Sequence, residues 1–516
     1  MQNHLFFALN NNKQLCRQIK TLTYMRSHDS PMSINELVQH VGCSIPTMRQ
    51  DINNLNDELM GYLKIVSNDK DGYTLSLDTM SMDAILVKMA KESDVFRIID
   101  DIFHHEIHTF DELLADLYLS PTKLRKTLNH INTVLVSYNI ALSTRYVDLI
   151  GCESDIRYFF FAFYSDFNDF FTIDSNFDRR EYIYQVFHER AIQSIIPHFH
   201  LSNFRMTLWS IIIHNRIKHQ RFVRVDDHLK EELQVFVSFE KFKEAFIDVY
   251  RNAFLIHNPP LDDIIWAYAM LLHSVSYSGP SHSIFSHYIK DYTHLETIPL
   301  ELSQRVESLL MHQFDEPTIH STAIDPVRSY LINLSILTRI SPQLQRVSKS
   351  FKLFAHETID DLVILWMNHL ETPEAKGLLP IVFKEDVACS LAMLHFSFIS
   401  HQKDFDLCVL FAFHGEPGYD DFLMYLSQFM IPKNVTTAFL FDKPITHDIL
   451  NLVNTDLVVT NYDLPDAHKM QCDVIQLSYI PSMAEWTSLR NAILNLAASK
   501  HSRSKPDEDM DSHSFS

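Results

Sequence analysis

Residues 33–59 and 109–135 align without a gap at an offset of 76 positions, and this internal repeat restricts the chain's fold more than any other feature. The first copy reads SINELVQHVGCSIPTMRQDINNLNDEL and the second TFDELLADLYLSPTKLRKTLNHINTVL. Matching columns hold Ser33/Thr109, Glu36/Glu112, Leu37/Leu113, Ser44/Ser120, Arg49/Arg125, Asn53/Asn129 and Leu59/Leu135. A hydroxyl residue followed three positions later by Glu is a capping box, which satisfies orphan amides at a helix start. Ser44 and Ser120 then cap a second helix, and Pro121 fits its first turn. Leu124, Leu128, Ile131 and Leu135 make one apolar stripe, as do Met48, Ile52, Leu55 and Leu59. Each copy therefore predicts a short helix, a tight turn and a second amphipathic helix.

Charge points to what the second helix meets. From Leu117 to Val147 there is no Asp or Glu, while Lys123, Arg125, Lys126 and Arg145 are basic, in a chain of formal net charge −21. A helix-turn-helix with a basic outer face reads as a DNA reader. Thr122, Lys123, Arg125, Lys126, Asn129, His130 and Arg145 are its candidate contacts, with Lys123, Lys126, Asn129 and His130 expected to face outward. The corresponding set in the first copy is Thr47, Arg49, Gln50 and Asn53. There Arg49 is set against Asp51, Asp57 and Glu58, so the sequence assigns the principal DNA contact to the second copy. The alternating segments 63–66 and 73–77, and a shorter pair around 140–151, read as wings. Amphipathic helices at 12–26 and 95–107 lead into the two copies.

Eight glycines in 516 residues suit a helix-rich chain and leave no G-x-G-x-x-G or G-x-x-x-x-G-K-[ST] loop, so nucleotide-driven chemistry is not expected. The six cysteines are scattered without a C-x-x-C pair, against a zinc ribbon or a disulfide scaffold. No catalytic constellation, cofactor or metal site is expected. Neither a signal peptide nor a long uncharged apolar span is visible, so the expectation is a soluble, cytoplasmic protein without membrane association. Net negative charge confines any nucleic-acid contact to a small basic face.

The expected architecture is mostly α-helical and multidomain. Winged helix-turn-helix units occupy 1–80 and 81–165, the second ending in an aromatic stretch at 156–171 (Tyr158, Phe159, Phe160, Phe161, Phe163, Tyr164, Phe167, Phe170, Phe171) that docks the reader onto the rest. Helical bundles follow at 166–282 and 283–402, repeated in outline. Arg216-Ile217 matches Arg339-Ile340, and His273 matches His395 at nearly the same separation. Short apolar runs alternating with helices predict a small parallel α/β domain at 403–498. Residues 499–516, polar and without periodicity, read as a disordered tail.

With these five parts in order, and with NIALSTRYVDLIGCESDIRYFFF at 139–161 entering the aromatic helix, the chain resembles the Mga/AtxA family of transcription regulators. The resemblance implies two helix-turn-helix units, two phosphotransferase-system regulation domains (PRDs) and a C-terminal domain like the EIIB component of sugar phosphotransferase systems. It also implies double-stranded promoter DNA as partner, a homodimer or higher homo-oligomer, and phosphorylation of PRD histidines by the phosphocarrier HPr. The PRD pattern of His, then Arg seven positions on, fits His214 and Arg221. The later PRD histidine fits His273 and His395, expected near the bundle surface. The second bundle departs from the pattern, with Leu337 in the place of His214. In cysteine-type EIIB domains the nucleophile begins the loop after the first strand; here Cys408 lies inside the strand and His414 opens the loop, which implies a degenerate binding domain. Two rivals remain open: a PRD-type RNA-binding antiterminator, and a phosphotransfer component of sugar uptake. The capped N-terminal helices and the missing cysteine argue against each in turn.

Overall fold

The computed structural model describes residues 4–28, 30–68, 72–106, 108–143, 145–165, 192, 201–252, 254–277, 295, 298, 300–311, 324–399, 407–416, 418–431, 435–464, 470 and 472–503. The expected hairpin turn at 69–71, Ile107, the aromatic positions Phe167, Phe170 and Phe171, and the tail beyond 503 lie outside them.

The chain opens on a short helix that the sequence pattern did not suggest, α1 (His4–Leu9). α2 (Lys13–Arg26) is capped by Asn12, whose side chain accepts from Gln14 and Leu15 amides. α3 (Ile34–Val41) carries the Ser33/Glu36 capping box, and α4 (Ile45–Glu58) is capped by Ser44. An antiparallel hairpin, β1 (Leu63–Asn68) and β2 (Gly72–Leu77), completes this unit. Met32 and Tyr73 exchange two backbone hydrogen bonds (2.7 and 2.9 Å), which ties the hairpin to the start of α3. A Cβ on Gly72 would stand 2.4 Å from the Met32 carbonyl oxygen, so that close approach requires glycine.

The second unit repeats the plan. The expected leading helix is α6 (Asp94–Phe103), capped by Ser93, and a helix that the sequence pattern did not suggest, α5 (Met82–Lys91), precedes it. α7 (Phe110–Asp116) carries the Thr109/Glu112 capping box, and α8 (Pro121–Leu135) is capped by Ser120. β3 (Ile140–Ser143) and β4 (Asp148–Gly151) form the shorter hairpin, tied to the chain before α7 by Val147 N–H donating to the His108 carbonyl at 2.9 Å. Both expected stripes are buried.

α9 (Glu153–Ser165) buries Tyr158, Phe159, Phe160, Phe161, Phe163 and Tyr164, so this stretch is core. It packs against β4 on one side and on the other against α10 (Asn203–Lys218). Helices α11 (Asp227–Gln234), α12 (Val237–Asn252) and α13 (Leu261–His273) follow. Further helices are α14 (Leu300–Leu310), α15 (Asp325–Ile340), α16 (Lys349–His369), α17 (Pro373–Leu378) and α18 (Lys384–Ile399).

The C-terminal part is a four-stranded, all-parallel sheet in the order β6-β5-β7-β8. Its elements are β5 (Leu407–Phe413), α19 (Tyr419–Met430), β6 (Val435–Phe441), α20 (His447–Val453), β7 (Leu457–Thr460), β8 (Asp473–Gln476) and α21 (Met483–Arg503). Strand β5 is buried along its whole length, which explains its uninterrupted apolar run. The expectation of a disordered tail from 499 needs correcting at its start. α21 runs to Arg503, past the expected start of the tail. No described helix is long and apolar enough to cross a membrane.

Candidate nucleic-acid interface

The turn between α3 and α4, and the matching one between α7 and α8, each needs one residue in the left-handed region. Gly42 fills it in the first unit (φ +77°) and Tyr118, in the same repeat column, fills it in the second (φ +52°). A side chain there costs about 1–2 kcal/mol, and Tyr118 is 94% exposed, so no burial offsets it. Tyr118→Gly is therefore expected to raise the urea stability of this unit by about 1 kcal/mol, less the small entropic cost of glycine. A destabilised variant would show that the tyrosine is held by contacts instead.

Beyond that turn, Thr122, Arg125, Lys126 and Asn129 are all exposed on α8. Their spacing of three, four and seven places them on one helix face. Arg125 lies over the Phe110 ring with its guanidinium carbon 5.5 Å from the centroid. Lys123 is exposed as well, but its Nζ is 3.0 Å from Asp94 Oδ2 at the start of α6. A pair so open is worth about 0–1 kcal/mol and can be exchanged for a phosphate. Arg145 projects from the wing beside Tyr146, 5.7 Å from its ring centroid.

His130 departs from the expectation that it faces outward. It is half-buried, and its Nε2 lies 2.8 Å from the Ala8 carbonyl oxygen, because α1 packs on α8. Next to it Asn11 Nδ2 donates to Thr127 Oγ1 at 3.2 Å. The unforeseen N-terminal helix covers this flank of α8 and leaves the Thr122–Asn129 face open.

The first unit also departs from its expected electrostatics. Asp51, counted against Arg49, is buried, and its carboxylate accepts from Arg17 Nε (2.7 Å) and NH2 (3.1 Å). Its repeat partner Thr127 is likewise buried. Of the acids on α4 only Asp57 and Glu58, at its far end, are exposed, whereas Arg49, Gln50 and Asn53 are exposed nearer its start. Gln50 donates to Asn54 Oδ1 at 2.7 Å, and the Thr47 and Ser44 hydroxyls are 2.8 Å apart. Helices α4 and α8 are thus closer in field than their sequences imply.

A buried ionic network fixes α9 and the second hairpin to the helical body. Arg157 on α9 donates to Glu153, to Asp263 on α13 and to the Arg221 carbonyl, while lying over the Trp266 ring at 4.9 Å. Arg216 makes a two-pronged pair with Glu153 (2.7 and 2.8 Å). Arg221, which the family pattern pairs with His214, donates instead to Asp148 at the start of wing strand β4.

The three candidate histidines lie in unequal settings. His273 is buried; its Nδ1 accepts from Trp209 Nε1 at 3.0 Å, and burial holds its pKa well below the usual value. His395 is also buried, beside Trp366, and burial lowers it to about 4. Both were expected near the surface, but the apolar residues flanking each on α13 and α18 turn inward. His214 is half-buried and lines a cleft with Lys218, Phe222, Phe254 and Leu255. In the C-terminal sheet, His414 Nδ1 lies 2.9 Å from Asp442 Oδ1, while Cys408 is buried in β5.

Residues 78–164 match the Mga helix-turn-helix domain. The chain is 23% identical over 155 residues to a Streptococcus pneumoniae serotype 4 protein described as a trans-acting regulator, covering 30% of this chain and 31% of that one. It is 25% identical over 145 residues to the capsule synthesis positive regulator AcpA of Bacillus anthracis, covering 28% of this chain and 30% of that one. The matched segments thus span less than a third of either relative. They establish a Mga-family helix-turn-helix domain and distant homology to regulators of the Mga/AtxA type.

Proposed function

We propose that this chain, with its Mga helix-turn-helix domain, is a DNA-binding transcription regulator that recognises promoter DNA through its two winged units. The observation that carries this reading is the exposed face of α8, a helix without Asp or Glu (Thr122, Arg125, Lys126, Asn129), with Arg145 also exposed on the wing. Lys and Arg release counterions when they meet phosphate, and in this reading the exposed Asn129 supplies the base contact. The function is binding rather than catalysis. Lys126→Ala is expected to weaken binding to all duplexes and to reduce the salt slope by about one unit. Fluorescence anisotropy over a salt series, with a hairpin RNA alongside, provides the measurement. Unchanged affinity and slope in a folded Arg125→Ala/Lys126→Ala variant would refute the assignment, and tighter binding to the hairpin would favour the antiterminator reading.

The helical body is read here as two PRDs and the parallel sheet as a degenerate EIIB-like domain, with assembly as a homodimer. Control by a phosphocarrier would act most directly at His214, which borders a cleft and shares α10 with Arg216, a link to the reader. A phosphoryl group there adds about 1.5 to 2 negative charges close to that ionic network. Incubation with phosphorylated HPr followed by mass spectrometry is expected to label His214 and to leave His273 and His395 unlabelled in the native chain. Labelling of His273 or His395 alone would reverse that assignment.

A further inference from the structure

From the last turn of α6 to the end of α7 the chain reads DIFHHEIHTFDELLAD, and its fold draws together side chains that the repeat does not account for. One ligand atom each from Asp101, Glu106 and His108 falls within 4.8 Å of the others. His108 stands between carboxylates on both ring nitrogens: Nδ1 is 3.3 Å from Asp116 Oδ2, and Nε2 is 3.8 Å from Asp101 Oδ2.

The two distances have different meanings. At 3.3 Å the Asp116 carboxylate stands beside Nδ1 and braces the ring on that side, while Nε2 faces Asp101 across the longer gap. At 3.8 Å, Nε2 is too far from Asp101 for a hydrogen bond. A gap of this width, bordered by a ligand atom from each of three side chains, is one that a cation can bridge. Two atoms each about 2.1 Å from a metal ion are at most about 4.2 Å apart, so the Asp101–His108 gap already has the right span. The widest separation closes with a shift of about half an ångström.

We propose that Asp101, Glu106 and His108 form a divalent transition-metal site at the entry to the second helix-turn-helix, with Asp116 as the positioning residue for the imidazole. One imidazole and two carboxylates without thiolate suit Mn²⁺, Fe²⁺ or Zn²⁺. A carboxylate on the distal ring nitrogen is the usual partner of a metal-bound histidine. Other charged groups near the site are Asp100, which accepts from Tyr164 Oη at 2.7 Å, His104 beside Asp100, and Arg97, which donates to the Asp116 carbonyl at 3.3 Å. They leave the pocket with a surplus of negative charge. The backbone places the site where it affects the reader: Glu106 N–H donates to the Asp101 carbonyl (2.8 Å), and the His108 carbonyl holds the wing through Val147. An ion here would clamp the end of α6 to the first residues of the recognition unit and to its wing.

The test is calorimetric titration of the tag-free full chain with MnCl₂ and, separately, ZnCl₂, without DNA, so that the result is independent of the DNA reading. One saturable site per chain is expected, with hydrogen-exchange protection rising across 101–116. His108→Ala should weaken affinity at least tenfold, and Asp116→Asn by about 10–100-fold. Circular dichroism checks that both variants are folded; the backbone tie to the wing survives either change. Glu106→Gln, on an exposed side chain, provides a third variant with little risk to folding. The absence of a saturable site, or the same affinity in all three variants as in the wild type, would overturn the proposal.

Discussion

Arg157→Ala is expected to cost about 3–5 kcal/mol of stability, because it leaves Asp263 as an uncompensated buried charge. Both side chains of that pair are 0% exposed, so water cannot replace the lost partner. The same substitution removes a donor to Glu153 and to the Arg221 carbonyl, which ties α9 to the helices behind it. Urea unfolding, followed by tryptophan fluorescence and by circular dichroism, is the measurement. Two probes are needed because a chain of this size need not unfold in one step. Arg157→Met combined with Asp263→Leu should recover most of the loss, since it removes both charges together. A loss below about 1 kcal/mol in the single variant would mean that the network does not hold the reader to the body.

The second large effect is a loss of stability in mild acid. Burial depresses both His273 and His395, the latter to about 4. A histidine whose folded pKa is depressed binds protons more readily when unfolded. Its stabilising contribution is complete above the unfolded value near 6.5 and is lost as pH falls from there toward 4. At about 1.4 kcal/mol per pKa unit, His395 alone accounts for about 3 kcal/mol across that window, and His273 adds to it. Stability measured at pH 7.5, 6, 5 and 4 should fall most steeply between 6.5 and 4, and His395→Gln should flatten the fall. A curve unaffected by that substitution would show that His395 is not buried neutral in solution. The same burial makes His273→Asp or His395→Asp a core lesion more than a phosphate mimic, since either places a carboxylate in apolar surroundings.

The elements of both N-terminal units can be read from the sequence because their causes are local. Ser33 with Glu36 and Thr109 with Glu112 begin helices through bonds within four residues, and the apolar stripes repeat at the helix's own period. The same holds for the aromatic α9 and for the buried β5, whose composition alone gives their burial. Legibility ended where a side chain's partner lay far along the chain. Asp51 reads as a charge that weakens α4 until Arg17 is found beside it, and His130 reads as outward until α1 covers it. Asp101, Glu106 and His108 attract no notice in a chain of 29 histidines, because nothing in their spacing requires them to converge.

The sequence by itself determined the helix starts, the tight turns, the repeat, the sign of the charge on the second recognition helix and the parallel strands at the C-terminal end. Hydrogen bonds over three or four residues, and apolar periodicity, depend on neighbours that the sequence states outright. Only the tertiary structure decided which face of α8 stays open, which acids are paired and which histidines are buried. Desolvation and ion pairing depend on every atom within a few ångströms, and those atoms come from positions as far apart as Arg157 and Asp263.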